Sequence, residues 1–179
     1  MKPEKLPVLS FNHQEYFKHY SHRFTFKASD SLLAFGSFFS VLSGNYLKPL
    51  TTCFLIEDDH DDQEIFGMAL KAVSASTKIV YAFDGVEALE KLRNGELESV
   101  DFIFLDLNMP RMNGKQFLAE IKKDPVLTNI PVIIYSTSSD SHDIEEAERL
   151  GAQEFLTKPP YFSQLTQLLH DFFSRQAPK

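Results

Sequence analysis

The chain has no tryptophan and one cysteine, Cys53. A single thiol cannot close a disulfide within the chain, and a zinc cluster built on several cysteines is excluded. No apolar run reaches the roughly 18 residues that a membrane-spanning helix needs. The net charge of −7 leaves no basic excess for non-specific attraction to nucleic acid or an anionic membrane, so neither is expected as a partner. Glycine is also scarce, at seven residues. None makes a phosphate-cradling loop after the first apolar run, which disfavours a nucleotide-binding enzyme.

What remains is ordinary in amount and uneven in placement. An apolar share of 43% and a charged share of 24% over 179 residues suit about one globular domain. Residues 1–50 hold six Lys and Arg against three Asp and Glu, a charge of +3, and ten of the 23 aromatic residues. Residues 51–179 hold twelve against twenty-two, a charge of −10. The two stretches are expected to differ in role. Residues 1–50 read as an N-terminal extension, poorly structured or not translated natively, and residues 51–176 as the working domain. Ser31–Leu42 is apolar, but Gly36 and the interspersed serines make it a poor helix, too short to span a bilayer. Thirty mostly polar residues precede it, far more than a secretory signal carries, so the expected location is cytoplasmic. Six basic residues over fifty positions are too sparse for nucleic-acid stacking.

From Thr51 onward, short apolar runs alternate with helical periodicity. Cys53–Ile56, Lys78–Ala82, Phe102–Leu105, Pro131–Tyr135 and Glu154–Thr157 read as strands. Between them, Ile65, Met68, Ala69, Ala72 and Val73 recur at helical spacing, as do Val86, Leu89 and Leu92, then Phe117, Leu118 and Ile121, then Ile144, Ala147 and Leu150. Phe162, Leu165, Leu168, Leu169 and Phe172 form a last amphipathic helix. Asp84 can cap the second helix, and Gly95 and Gly151 close the second and fourth. Five strand–helix units predict an α/β fold with a doubly wound parallel sheet and helices on both faces.

In such a sheet the functional crevice lies beyond the carboxyl ends of the strands. The first strand ends in Glu57-Asp58-Asp59, the third in Asp106, the fourth in Ser136-Thr137 and the fifth in Lys158-Pro159. Clustered carboxylates repel one another unless a cation sits among them. A hard divalent ion such as Mg²⁺ suits that set, since it takes carboxylates, waters and phosphate oxygens. Lys158 is a compact point charge for an anion, and Ser136 a hydrogen-bond donor to it. Together they describe phosphoryl transfer to a carboxylate, which depends on positioning and charge neutralisation.

The motifs Glu57-Asp58, Leu105–Pro110 with Gly114, Pro131–Ser136, and Gly151-Ala152 with Phe155–Pro159 resemble the receiver domain of two-component response regulators. The resemblance spans about Thr51 to Ser174. It implies a CheY-like, five-stranded sheet in the order 2-1-3-4-5. It implies Asp106 as phosphoacceptor, with Mg²⁺ held by Glu57, Asp58, Asp106 and the backbone carbonyl of Asn108. Ser136 and Lys158 would contact the phosphoryl group, and Ser136 with Phe155 would form the switch. The donor would be a histidine kinase or histidine phosphotransfer protein. A downstream protein would meet the face of the fourth helix, fifth strand and fifth helix. Phe155 stands where tyrosine is common, so ring burial replaces a phenolic hydrogen bond. Thr137 stands where many relatives carry Ala or Gly, and is expected to slow access to Asp106.

After the last helix only Arg175–Lys179 remain, so the expectation is a stand-alone receiver with no separate enzymatic output. Two other readings compete. One is a receiver-like interaction module that is not phosphorylated. The other is a hydrolase with Asp106 as nucleophile, which would want an acidic residue where Asn108 stands. Asp61 and Asp62 read as acids complementing a helix dipole, His60 as a solvated first-turn residue and Cys53 as a buried strand residue.

Overall fold

The computed structural model describes residues 51–97 and 99–176. The expectation that residues 1–50 are a separate extension lies outside the described residues. Among those residues the chain runs β1 (Thr52–Ile56), α1 (His60–Val73), β2 (Lys78–Ala82), α2 (Gly85–Arg93) and β3 (Phe102–Leu105). It continues through α3 (Gly114–Ile121), β4 (Val132–Ser136), α4 (Ser141–Arg149), β5 (Glu154–Thr157) and α5 (Phe162–Gln176). The five strands pair in parallel, in the order β2-β1-β3-β4-β5. This is the expected doubly wound fold, and the strand order implied by the resemblance.

Strand pleating sends successive side chains to opposite faces. Phe54, Ile56, Ile103, Leu105, Val132 and Ile134 pack on one face with Ala88 and Leu89 of α2, Phe117, Leu118 and Ile121 of α3, and Ala147 of α4. Cys53, Leu55, Phe104, Ile133 and Tyr135 pack on the other with Phe66, Ala69 and Leu70 of α1 and Leu165, Leu169 and Phe172 of α5. Both faces are covered, so β1 and β4 are buried along their whole length and β3 along nearly all of it. That is why they read as continuous apolar runs rather than alternating ones.

Side chains at the helix starts satisfy the free amides there. Asp59 caps α1, Asp84 caps α2 and Asp140 caps α4. Asn113 and Gln116 form a reciprocal capping box on α3. Gly95 and Gly151 take positive φ, 70° and 97°, where their helices end, as expected.

Two helical faces differ from expectation. On α1, Ile65 and Met68 are exposed, at 41% and 50%, and Ala72 is exposed too. The buried stripe is Phe66, Ala69 and Leu70, with Val73 partly buried. Residues 66, 69, 70 and 73 satisfy helical spacing as well as the expected set, and the bulk of Phe66 decides the rotation. On α5, Phe162 is the first helical residue and is exposed, whereas Leu165, Leu169 and Phe172 are buried. Among the described residues no helix is long and apolar enough to cross a membrane.

Candidate functional site

Parallel pairing brings the strand ends to one edge. Glu57 N donates to Ala82 O at 3.0 Å, Asp106 N to Ile56 O at 3.0 Å, and Lys158 N to Ser136 O at 2.8 Å. These backbone bonds fix the positions at which Glu57, Asp106, Ser136 and Lys158 leave the sheet. All four expected residues meet there, with Asp58 beside them.

Glu57, Asp58 and Asp106 each offer a carboxylate oxygen, and the three oxygens lie within 4.8 Å of one another. Glu57 and Asp106 are buried, whereas Asp58 is exposed. A hard, oxygen-preferring divalent ion fits this donor set, because three carboxylates so close repel one another without a cation. Asp106 is further oriented by Asn108, whose backbone N–H donates to Oδ2 at 2.6 Å. That bond tightens the turn after β3 and leaves the Asn108 side chain exposed.

The turn needs a glycine at its far end. A Cβ at Gly114 would stand 2.2 Å from the Asp106 carbonyl oxygen and 2.9 Å from Leu107 Cα. Both are backbone atoms with little room to move. The Gly114 amide instead donates to Leu107 O at 3.1 Å and closes the loop.

Lys158 reaches the cluster from β5 with its side chain only 10% exposed. Its Nζ lies 2.5 Å from Glu57 Oε2, 2.8 Å from Asp62 Oδ2 and 3.4 Å from Asp106 Oδ1. The ammonium therefore bonds Glu57 and Asp62 and only approaches Asp106. Burial alone would pull the lysine down, but the Asp62 and Glu57 carboxylates outweigh it and hold the ammonium above its ordinary value. Burial pushes Glu57 up to about 7, against the pull of Lys158. The Tyr135 ring lies 5.4 Å from Lys158 Nζ and forms one wall.

Ser136 is fully buried at the end of β4, and its Oγ accepts from Ser138 N at 3.5 Å. Thr137 is exposed. Phe155 is half-buried, packed against the cluster that holds Ile134 and Leu105. Cys53 is fully buried in β1, and burial raises its thiol to about 12, so it is an inert core residue.

Three participants were not foreseen. Asp62 is a direct partner of Lys158, besides lying in the first turn of α1. Gln63 Nε2 donates to Glu57 O at 2.7 Å and ties α1 to the acidic corner. Arg111, at φ 61°, pairs with the buried cap Asp84 and anchors the turn after β3 to α2. A signal for Asp62 existed in the sequence. It stands in the first turn of the helix that follows the acidic end of β1, and so close to that edge.

Comparison with known proteins fits this geometry. The family model for the response regulator receiver domain matches residues 53–170. Response regulator Rcp1 of Synechocystis is 31% identical over 126 residues, covering 68% of this chain and 86% of that protein. The transcriptional regulatory protein GlrR of Escherichia coli K12 is 35% identical over 124 residues, but this chain spans only 26% of its length. Among solved structures, the phosphorylated cyanobacterial phytochrome response regulator RcpA superposes with a TM-score of 0.65 at 36% identity, covering 72% of this chain and 96% of that one. The Mn²⁺-bound form of Rcp1 gives 0.61 at 30% identity, covering 69% and 92%.

Proposed function

Because the chain belongs to the response regulator receiver family, we propose that it accepts a phosphoryl group onto Asp106 from a phosphohistidine donor and thereby switches its affinity for a partner protein. The observation that carries this reading is the convergence of Glu57, Asp58 and Asp106 within 4.8 Å, with Lys158 Nζ 3.4 Å from the acceptor carboxylate. The donor would be a histidine kinase or a histidine phosphotransfer protein.

Glu57, Asp58, Asp106 and the Asn108 carbonyl are the groups that would hold Mg²⁺. When bound, the ion neutralises charge on the transferring phosphoryl oxygens and on the acceptor. The residues do the rest. An Asp106 carboxylate oxygen forms the new bond to phosphorus as the phosphorus–nitrogen bond of the donor breaks. The imidazole leaves with the bonding pair and regains a proton from water. Lys158 offers an ammonium 3.4 Å from the acceptor, to pair with the charge that arrives. The product carries about −1.5 to −2 charges at neutral pH. Ser136 Oγ, held among the described residues only by the long bond from Ser138 N, can turn to donate to that phosphate. Movement of Ser136 opens space for the half-buried Phe155. This alters the surface of α4, β5 and α5, where the downstream protein would bind.

Incubation with acetyl phosphate tests the reading. Mass spectrometry should find one phosphoryl group on Asp106 when Mg²⁺ is present and none after chelation. An unmodified protein at millimolar Mg²⁺ would favour a receiver-like interaction module instead.

A further inference from the structure

Lys158 has two carboxylate partners closer than the acceptor, and one of them, Asp62, belongs to no part of the acceptor or metal set described above. We propose that Asp62 is a positioning residue that holds the Lys158 ammonium on the α1 side of the site and so competes with Asp106 for it. The proposal rests on the phosphoacceptor reading of the site.

The geometry supports a competition rather than a fixed pair. The Lys158 side chain is 10% exposed and carries one ammonium with three donors. Those donors face Glu57 at 2.5 Å, Asp62 at 2.8 Å and Asp106 at 3.4 Å. The ammonium cannot improve its contact with Asp106 without lengthening one of the other two. Glu57 is also a candidate metal ligand, and a carboxylate that serves a cation is less available to the lysine. Under phosphorylating conditions, Asp62 is therefore the main rival of the acceptor.

Asp62 is also free to act in this way. Its backbone N–H donates to the cap Asp59, so the helix start does not depend on its side chain. The carboxylate is 41% exposed and bonds Lys158. Its neighbour Asp61 is exposed, carries the same charge and makes no ion pair among the described residues. Asp61 is thus a built-in control for charge alone.

The experiment measures beryllofluoride affinity at saturating Mg²⁺ by fluorine NMR. It compares the full chain with Asp62→Asn, Asp61→Asn and Asp62→Glu. Asp62→Asn should bind about three- to fivefold more tightly than the parent, the scale of an ion pair with one exposed partner. Asp61→Asn should change affinity by less than about 1.5-fold, as a screened charge does. Asp62→Glu keeps a carboxylate within reach of the lysine and should return to the parent value. Equal effects of Asp62→Asn and Asp61→Asn would overturn the proposal, since charge alone would then explain both. Weaker binding by Asp62→Asn would overturn it as well. If the unmutated chain binds no beryllofluoride, the phosphoacceptor reading itself fails and the proposal falls with it.

Discussion

Glu57 is buried among other acids, and its pH behaviour follows from that. Burial raises its folded-state carboxyl from 4.5 to about 7. Between those values the folded protein binds more protons than the unfolded one. The stability this confers is full below pH 4.5 and is lost as the pH rises through about 7. In metal-free buffer, urea unfolding should therefore show stability falling across this window by about 1–3 kcal/mol relative to Glu57→Gln. Parallel curves for the two proteins would mean that the Lys158 pair, not burial, governs Glu57.

Gly114 gives a second test at this scale. Its missing side chain lets α3 start against the Asp106 carbonyl. Gly114→Ala should cost about 1–3 kcal/mol through overpacking and weaken Mg²⁺ binding by displacing the loop that carries Asn108. Isothermal titration with Mg²⁺ at unchanged affinity would contradict this. The placement of Glu57, Asp58, Asp106 and Ser136 at one sheet edge was legible because an apolar run marks where each of β1, β3 and β4 ends; that of Lys158 rested on the resemblance and the order of the strands. The pairing of Asp62 with Lys158 was hidden. An acid in a first helical turn already has a sufficient local reason to be there, and 96 residues separate the partners.

Among the elements, β3 carries the most concentrated aromatic packing. The Phe104 ring lies 5.0 Å from Phe66 of α1 and 5.3 Å from Phe172 of α5, so one side chain joins both helices to the sheet. Phe104→Ala should lose about 3–5 kcal/mol in denaturant unfolding, since the cavity would be walled by rigid rings. A loss below about 1 kcal/mol would show that α1 and α5 close over the gap. The strands β1, β3 and β4 were legible because burial on both faces leaves an unbroken apolar signature. The rotation of α1 was not. Ile65, Met68 and Ala72 form one helical stripe and Phe66, Ala69, Leu70 and Val73 another, and both are apolar. Only the fit of Phe66 against Phe104 and Tyr135 chooses between them. The cap Asp84 was easier to foresee, because it directly precedes a periodic run and its amide partners are local.

For the whole molecule, the −7 charge resolves into a +3 stretch and a −10 stretch. Part of the −10 is concentrated at one sheet edge, where Lys158 is the only basic side chain paired with Glu57 and Asp106 among the described residues. Adding a phosphoryl group to such an edge is unfavourable unless cations compensate it. The parallel order of five strands is what makes compensation possible, because it gathers groups 101 residues apart, Glu57 and Lys158, at one bond. The central claim is thus that one carboxylate receives the group and the others serve it. Transfer from a phosphohistidine-bearing protein, followed by intact mass with and without Mg²⁺, tests it most directly. The account predicts one phosphoryl group on the parent chain with Mg²⁺, and none on Asp106→Asn. Full labelling of Asp106→Asn would contradict it.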